Sequence, residues 1–490
     1  MASWIRKVPT ASGATAVQII HKDGRIVVGI DHIGSANSDD ELALLLVIAN
    51  EKLHSGQQSL FNEFESTSGS IKLISTFSKY LLDQLEQYYD AIGFNAIGDQ
   101  IFKDVVLARL VEPVSKVDTV RVLNELGVNA PTVDTIYRSL RRCNKNNFRN
   151  IIQKACFNYA KIDHASLLLY DVTTLYFEIQ KQDDFRKPGY SKERRLEPQI
   201  LVGLLVDQSG FPVTVHLFEG NKSETLTILP VLRDFKTINN LKEITVVADA
   251  AMLSKDNLVK LYEAGFNFIV GSRIKKVPYG FDKDSVLIKD GFIADCATVV
   301  EYQNFLDDDK NLCKVIYQYK EDRARLDLKN IEKQIEKAKQ IVEGKSPTSK
   351  VRFLKITDSK KSINEQLIDQ NKQKAGIKGY VTNLDKLTPN EIISHYHKLF
   401  EVERSFRMSK SDLRARPIFH HKKESIEAHL TVVFAALAIA REVQKNTGLS
   451  IKNYIQKLKP LRTGVLELDG HKISIPPDIP VEIKALERGH

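Results

Sequence analysis

Cysteine is scarce in this chain of 490 residues, which has only four: Cys143, Cys156, Cys296 and Cys313. None of them forms a CxxC pair with another, so the sequence indicates neither a zinc site nor a disulfide framework. A chain without such bonds is suited to a reducing compartment. We therefore expect a cytoplasmic location.

A secretory signal and a long hydrophobic run are also missing. No signal peptide is recognisable after Met1, and the longest nearly apolar run is Leu430 to Ala440. That run is far shorter than the roughly 20 residues that a membrane-spanning helix needs. It predicts a buried helix, and we expect no membrane partner.

Positive charge is in excess. The chain has 71 Lys and Arg against 62 Asp and Glu, which gives a formal charge of +9 and a pI near 9.0. A basic balance favours a polyanionic partner such as nucleic acid. The length is enough for roughly three domains.

The stretch from Leu167 to Phe177 reads as a strand buried on both faces, yet it carries Asp171 in its middle. A buried carboxylate needs a cation or a proton, because an unpaired charge is costly to bury. A lone aspartate at a strand end can also just bond to a turn. Asp171 becomes a candidate site residue only if other carboxylates lie beside it.

The segments after Asp171 have a mixed α/β pattern. Gln199 to Val206 and Val213 to Phe218 predict two strands that complete a meander, and helices with Ser223 and Ser254 as caps follow. The strand from Glu243 ends on Asp249. Mixed sheets build sites at such carboxyl edges, although Asp249 can also be an ordinary loop-start residue.

A third acidic candidate lies in a helix predicted around His395 to Met408. Steps of 100° per residue place a set of its side chains on one face. This set is Tyr396, Leu399, Glu403, Arg407 and Lys410. The alternative is a surface ion pair between Glu403 and Arg407 at i,i+4 spacing.

The amino-terminal part predicts a hairpin with Asp-Gly in its turn, a helix opened by Ser38 to Glu41, and mostly helices from Ile71 to Ala160. Among these, Ser115 to Leu126 and Thr132 to Cys143 flank a short turn. The second helix carries Arg138, Arg141 and Arg142. The pattern is typical of a helix-turn-helix, and equally of a helical hairpin with a solvated basic face.

These residues together resemble the DDE transposases of insertion sequences, whose signature is Tyr, two residues, Arg, three residues, Glu, six residues and Lys. Tyr396, Glu403 and Lys410 match it at spacings of seven and seven, and the resemblance also rests on Asp171 in its apolar strand and Asp249 at a strand end. Further similar segments are Phe218-Glu219-Gly220-Asn221 with Glu224 and Thr225, Val247-Ala248-Asp249-Ala250, Phe400 to Arg407, and Arg416-Pro417-Ile418. The resemblance covers about Ala108 to Arg441.

The resemblance implies an α/β fold: a ribonuclease H-like catalytic core, interrupted by an insertion domain and preceded by a mostly helical DNA-binding region. The expected boundaries are 1–55 for the hairpin and helix, 56–160 for the helical DNA-binding region, 161–271 and 377–450 for the two parts of the core, 272–376 for the insertion, and 451–490 for the carboxyl-terminal segment.

The resemblance also implies the chemistry. Asp171, Asp249 and Glu403 would be catalytic and would bind two Mg²⁺ ions, with Mn²⁺ as the alternative. The partners would be double-stranded DNA at the element ends and at the target, and a second copy of the chain; a prokaryotic, nucleoid-associated location follows. The DNA-contacting residues would be Tyr396, Arg407, Lys410, Arg194, Arg195, Arg138, Arg141 and Arg142.

Two positions depart from the family pattern. The signature arginine falls on Leu399, so Lys398 or Arg407 would have to replace it. Members that cleave through a DNA hairpin are expected to hold a flipped base on a tryptophan in the insertion, but Trp4 is the only tryptophan here. The candidates to replace it are Tyr302, Phe305, Tyr317 and Tyr319.

Two other classes of function compete with a transposase. A ribonuclease H-like nuclease without strand transfer would share the three acids but would have little use for an end-binding domain. An inactive DNA-binding regulator would keep the basic helices but would have no reason to keep all three carboxylates in register.

Overall fold

The computed structural model describes residues 2–10, 13–24, 26–36, 39–54, 72–163, 166–178, 182–189, 197–250, 254–272, 296–304, 312–347, 351–357, 360–416, 418, 420–468 and 471–487. They form two compact units. The smaller unit comprises residues 1–86, 120–130 and 446–490, and the larger one residues 87–119 and 131–445.

The smaller unit begins with a three-stranded antiparallel sheet of β1 (Ala2–Pro9), β2 (Thr15–Asp23) and β3 (Ile26–Ala36). The predicted hairpin is confirmed as β2 and β3, and Gly24 in its turn has φ of 58°. The predicted helix is α1 (Asp39–His54). It packs on the sheet around a small core that includes Val17, Ile19 and Ala49.

A second sheet of this unit joins distant parts of the chain. Its strands, in the order β16, β15 and β4, are β4 (Lys72–Phe77), β15 (Thr463–Leu468) and β16 (His471–Ile475). The strand β4 was not predicted, because its segment reads as the start of the helical region. Helices α14 (Ile451–Leu458) and α15 (Val481–Glu487) accompany them.

The rest of the predicted helical region is confirmed. Its helices are α2 (Lys79–Ile92), α3 (Gln100–Val111), α4 (Lys116–Glu125), α5 (Val133–Lys145) and α6 (Phe148–Tyr159). The two helices predicted on either side of the short turn are α4 and α5. Thr132 caps α5 by accepting a hydrogen bond from the Thr135 N–H at 3.3 Å.

The larger unit is built on an eight-stranded sheet with the order β10-β11-β14-β9-β8-β5-β6-β7 among the described residues. Its strands are β5 (Leu167–Tyr176), β6 (Gln199–Val206), β7 (Pro212–Glu219), β8 (Thr245–Ala248), β9 (Asn267–Ser272), β10 (Cys296–Asn304), β11 (Leu312–Tyr319) and β14 (Ile377–Thr382). β5, β6 and β7 form the predicted antiparallel meander, while β5, β8 and β9 run parallel.

One face of this sheet is the main hydrophobic core. Leu168, Tyr170 and Val172 of β5 point into it, together with Val246 and Ala248 of β8. Helices α7 (Ile228–Ile238) and α8 (Lys255–Glu263) supply its other side. Because side chains alternate along a strand, Leu169, Asp171 and Thr173 lie on the opposite face.

Of the two predicted caps, Ser254 is confirmed and Ser223 is not. Ser254 caps α8 as predicted, by accepting from the Asn257 N–H at 3.1 Å. Ser223 makes no such bond and precedes a single 3-10 turn, Glu224–Leu226, and α7 begins only at Ile228.

Residues 272–376, predicted as the insertion, contribute to two parts of the fold among the described residues. Strands β10 and β11 extend the main sheet, because β11 pairs with β14 from Lys314 to Tyr319. Only the later part forms a separate small core, from α9 (Glu321–Val342), β12 (Leu354–Thr357), β13 (Lys360–Ile363) and α10 (Glu365–Lys374). Short strand-like runs in a sequence do not reveal which sheet they join.

The helix predicted around His395 to Met408 is two helices, so that prediction was wrong about continuity. α11 (Pro389–His397) starts at a Thr388–Glu391 capping box, and α12 (Phe400–Ser411) follows a tight turn at Lys398 and Leu399. In that turn the N–H groups bond to the carbonyls three residues earlier. The tighter bonding rotates Tyr396 relative to Glu403 and Lys410.

The apolar run from Leu430 to Ala440 is buried, as predicted, in α13 (Lys423–Thr447). No helix in the described parts of the chain has the length and apolar character to cross a membrane.

An ion pair fixes α12 against the turn between β6 and β7. The Glu401 carboxylate lies 2.6 Å from Arg441 of α13 and 2.9 Å from Arg404. Arg441 also donates to the Ser209 carbonyl, and Ser405 donates to the Gly210 carbonyl at 2.8 Å. Gly210 has φ of 83°, and a Cβ there would overlap the Arg441 guanidinium. This turn therefore requires glycine.

We expect Glu401→Ala to lower the free energy of unfolding by about 3 kcal/mol, because Arg441 would stay buried without its partner. Urea denaturation would measure the change. Glu263→Ala, at an exposed position of α8, is the matched control and should change stability by less than about 0.5 kcal/mol. A Glu401→Ala protein as stable as the parent would contradict the role given to this pair.

Candidate active site at the ends of β5 and β8

The strand pairing brings Asp171 and Asp249 together. β5 and β8 are parallel, and their last aligned pair is Tyr170 with Ala248. Asp171 and Asp249 each follow directly, so their backbones are neighbours at about the 4.8 Å spacing of adjacent strands. Asp171 is half-buried and Asp249 is exposed. The two aspartates that the sequence singled out independently are thus neighbours on adjacent strands.

Tyr396 of α11 contacts this edge directly. Its hydroxyl donates a hydrogen bond to Asp249 Oδ1 at 3.1 Å, and the Ala250 N–H donates to the same oxygen at 2.7 Å. Gly271 lies beneath the Tyr396 hydroxyl, where a Cβ would clash with it. The Tyr396 ring packs edge-on against Tyr380, with ring centroids 4.9 Å apart. The tyrosine therefore holds one carboxylate oxygen of Asp249 in place.

Glu403 lies on the exposed surface of α12 near the same group. Burial raises the pKa of Tyr396 above its ordinary value, and the charge of Asp249, their hydrogen bond and the charge of Glu403 act in the same direction. Asp249 and Glu403 therefore both lie within electrostatic range of the Tyr396 hydroxyl. Glu403 and Arg407 both belong to the described residues, but no ion pair joins them. The acidic residue of α12 that forms ion pairs is Glu401. The structure therefore does not support the alternative in which Glu403 serves as the partner of Arg407 in a surface ion pair.

Lys410 contacts the strand of Asp171. Its ammonium donates to the hydroxyl of Thr173, which lies on the same face of β5 as Asp171 and two residues further along. Arg407 is exposed one turn earlier on α12. Leu399, at the place of the signature arginine, is buried, and Lys398 donates to Gln208 in the β6–β7 turn. Of the two candidates to replace that arginine, Arg407 is thus the one that faces solvent.

Lys378 is a site residue that the sequence did not reveal. Its ammonium lies 4.3 Å from the centroid of the Tyr396 ring and 5.5 Å from that of Tyr380. Burial and the nearby Arg323 lower the pKa of Lys378, while the charges of Asp249 and Glu403 oppose that shift. The residue sits in an ordinary strand pattern, so only the position of β14 beside β9 places it near the carboxylates.

The three carboxylates do not form a ready metal site in this structure. Among the described residues, no group of three or more His, Cys, Asp or Glu side chains is arranged to hold a metal ion. The donor types fit a hard cation such as Mg²⁺, which takes oxygen ligands. The geometry joins two aspartates and leaves Glu403 nearby on a separate helix.

The basic face of α5 is partly engaged within the protein. Arg142 binds Asp99 through two nitrogens, at 2.6 and 2.8 Å, and Ser139 donates to the other oxygen of that carboxylate. Asp99 in turn caps α3. Arg142 thus connects α5 to α3, whereas Arg138 and Arg141 are exposed. Arg138 has only an i,i+4 pair with Asp134, at 2.9 Å.

The other predicted site residues lie outside the described residues or are buried. Arg194 and Arg195 lie outside the described residues, as do Phe305 and the side chain of Tyr302. Tyr317 and Tyr319 are buried in β11.

A family model described as "Transposase DDE domain" matches residues 163–439, which is more than half of the chain. The chain belongs to this family. The predicted kinship with DDE transposases is confirmed, and all three candidate carboxylates fall within the matched region, while the basic residues of α5 lie before it. No curated protein matches the sequence.

Among solved structures, the chain is similar to a piggyBac transposase synaptic complex with hairpin DNA, determined by cryo-electron microscopy. The identity is 9%, the TM-score is 0.38, and the alignment covers 78% of this chain and 70% of that one.

The Tyr396 environment predicts how stability depends on pH. Because the folded-state pKa is raised above the unfolded value of about 10, the folded state keeps its proton when the unfolded state loses it. The contribution of Tyr396 is thus fully present below pH 10 and falls at higher pH. Between pH 10 and 11, the parent should lose about 1 kcal/mol more stability than Tyr396→Phe, because the full slope of about 1.4 kcal/mol per pH unit is reached only above the unfolded pKa.

Urea denaturation at pH 8, 10 and 11 would measure this slope. At pH 8, Tyr396→Phe should cost only about 1 kcal/mol for the lost hydrogen bond. Tyr262→Phe, on the surface of α8, is the control and should keep the slope of the parent. Equal slopes in all three proteins would rule out a protonated, buried Tyr396 hydroxyl on Asp249.

Proposed function

We propose that this chain is a transposase that binds the ends of its own DNA element, hydrolyses phosphodiester bonds there with Mg²⁺, and transfers the freed strand to target DNA. The observation that carries the proposal is the strand register that makes Asp171 and Asp249 neighbours, in a chain of the Transposase DDE domain family. Glu403, in electrostatic range of the group that holds Asp249, is the third carboxylate.

The sheet supports a ribonuclease H-like core. An antiparallel meander, β7-β6-β5, continues into the parallel strands β8 and β9, which is the strand arrangement expected of such a core. Asp171 then lies on the first strand and Asp249 at the end of the fourth. β14 would belong to the second part of the core, and β11 and β10 would be the part of the insertion that is closest to the core.

The carboxylates would hold the metal ions. Two divalent ions, when bound, supply an activated water and neutralise the leaving 3′ oxygen. Asp171 and Asp249 are adjacent oxygen donors, and among the described residues the hydrogen bonds from Tyr396 and Ala250 both go to Oδ1 of Asp249, so Oδ2 would be the metal ligand. Glu403 would have to approach them when metal and DNA bind, since the three do not form a ligand group in this structure.

Basic side chains around the carboxylates would position the DNA. Lys410 beside Thr173, Lys378 above the Tyr396 ring and Arg407 on the exposed side of α12 surround the site with positive charge. Such residues contact backbone phosphates and set the register of the DNA without reading its sequence. Element ends would be recognised by the exposed face of α5, and two copies of the chain would act on paired ends.

Removing one carboxylate should abolish cleavage without preventing DNA binding. We expect Asp171→Asn and Glu403→Gln each to reduce cleavage of a labelled element end in Mg²⁺ by at least about a hundredfold, because the amide keeps the shape but loses the charge that the metal needs. EDTA should stop cleavage by the parent protein. A gel shift in Ca²⁺ would verify that DNA binding persists.

Matched controls separate the site from the surface. Asp256→Asn, on the exposed side of α8, should cleave like the parent. Arg407→Ala should weaken cleavage mainly at high salt, because its contact would be to phosphate. Normal cleavage and joining by Glu403→Gln would refute the three-carboxylate site. Cleavage without joining in the parent would favour the nuclease alternative.

The basic helix makes a second prediction. The Arg138→Ala, Arg141→Ala double variant, with Arg142 kept because it binds Asp99, should bind the element end more weakly and lower the slope of log affinity against log salt by about two. Thermal melting should stay unchanged. Lys154→Ala and Lys161→Ala together, outside α5, form the charge-matched control. An unchanged salt slope in the arginine variant would exclude this face of α5 from DNA binding.

A further inference from the structure

A cluster of basic side chains is buried in the larger unit outside the carboxylate site. Arg109 lies in the last turn of α3, Lys116 begins α4, and His429 lies in α13. Their exposed fractions are 7%, 6% and 5%. His420, just before α13, completes the cluster, with its ring centroid 5.3 Å from that of His429. Three separate segments of the chain thus direct basic groups into one place.

The hydrogen bonds inside the cluster define the state of His429. Its Nε2 lies 3.3 Å from the carbonyl oxygen of Ala415, and its Nδ1 lies 3.5 Å from Nη2 of Arg109. A neutral ring that donates from Nε2 and accepts at Nδ1 satisfies both contacts. The Arg109 guanidinium therefore uses one donor here and has others for a further acceptor.

The charges that act on the cluster come from other basic groups. Burial lowers the pKa of Lys116 well below its ordinary value and that of Arg109 to about 10, and the next cause is a neighbouring cation: Arg109 for Lys116, and Arg414 for Arg109. Burial, Lys116 and Arg109 lower the pKa of His420 to about 4, with His421 adding to the effect. Among the described residues no carboxylate opposes these shifts. Arg109 together with the charged forms of Lys116 and His420 would be strongly unfavourable to bury without an anion.

The cluster is connected to the strand of Asp171. Ile418 forms a parallel bridge with Phe177, directly after β5, and the Arg416 guanidinium lies 5.2 Å from the ring centroid of Tyr176. His420 of the cluster comes two residues after Ile418. Because Tyr176 is five residues from Asp171, this end of β5 is about 17 Å from the carboxylates. That distance corresponds to a few nucleotides along a DNA backbone.

We propose that Arg109, Lys116 and His420 form a binding site for a phosphate group, and that in the working protein this group is a phosphate of the DNA backbone. His429 holds the Arg109 guanidinium in position, and a guanidinium, an ammonium and an imidazole N–H group match the several acceptor oxygens of one phosphate. Arg414 and His421, both exposed, mark the open side of the site. The phosphate assignment stands by itself, and only the choice of DNA as its source rests on the proposed function.

Inorganic phosphate is the first probe, added to the full-length protein. The melting temperature should rise with phosphate concentration more than with KCl at equal ionic strength, since a ligand of the folded state stabilises it. Calorimetry in buffers of different ionisation enthalpy should show proton uptake on binding, because the anion favours the charged forms of Lys116 and His420. Equal effects of phosphate and KCl would overturn the proposal.

Lys116→Met tests the site itself. It should remove both the phosphate-specific rise in melting temperature and the proton uptake, while the protein without phosphate melts at or above the parent temperature. Lys260→Met, an exposed lysine of α8, is the matched control and should keep both effects. Should Lys116→Met fail to fold, His420→Gln at the more open side gives the same test. Retention of the full phosphate effect in a folded variant would refute the site.

Duplex DNA of the element end identifies the source. If the phosphate belongs to DNA, Lys116→Met should lower the salt slope of binding by about one, and inorganic phosphate should compete with DNA for the parent. A parent-like salt slope in Lys116→Met would exclude DNA as the source, and the site would then bind a free phosphate. Absence of any DNA binding by the parent would refute the proposed function and leave the phosphate measurements valid.

Discussion

The parallel pairing of β5 with β8 is the constraint on which the candidate site depends. Its register puts Asp171 and Asp249 side by side, and the alternation of side chains directs Tyr170 and Ala248 into the core on the other face. A slip by one residue would turn the carboxylates toward the main core and turn Tyr170 or Ala248 toward the opposite face. The hydrophobic effect that assembles the core therefore also fixes the position of the acids.

The positions of α11 and α12, on the sheet face that carries Asp171, depend on buried polar contacts. The Glu401–Arg441 pair and the bonds to Ser209 and Gly210 hold α12 on the β6–β7 turn. With α12 held there, Glu403 lies on its exposed side and Lys410 reaches Thr173. The tight turn at Lys398 and Leu399 lets α11 take a different direction, so that Tyr396 reaches Asp249. The signature residues converge from two helices and not from one continuous face.

Positive charge around the acids is distributed over distant segments. Lys378 comes from β14, Lys410 from α12, and the buried cluster from α3, α4 and α13. Of these groups, Lys378 interacts electrostatically with Asp249 and Glu403 and partly offsets the repulsion between them. The same arrangement would let a nucleic acid backbone approach an acidic site, which a net charge of +9 favours at longer range.

The sequence by itself determined the elements whose signals are local: the Asp171 strand, the meander, the Ser254 cap, α4, α5 and the buried helix α13 all follow from hydrophobic periodicity and capping residues. It also identified Asp171 and Asp249 as candidates from their places in predicted strands, and Glu403 from its helix face and the resemblance to the family signature. Only the tertiary structure decided which strands are neighbours, because strand pairing depends on contacts between residues far apart in the chain. That is why the extension of the sheet by β10 and β11, the approach of Lys378 to the carboxylates, the engagement of Arg142 by Asp99 and the buried cluster around Lys116 have no local signature.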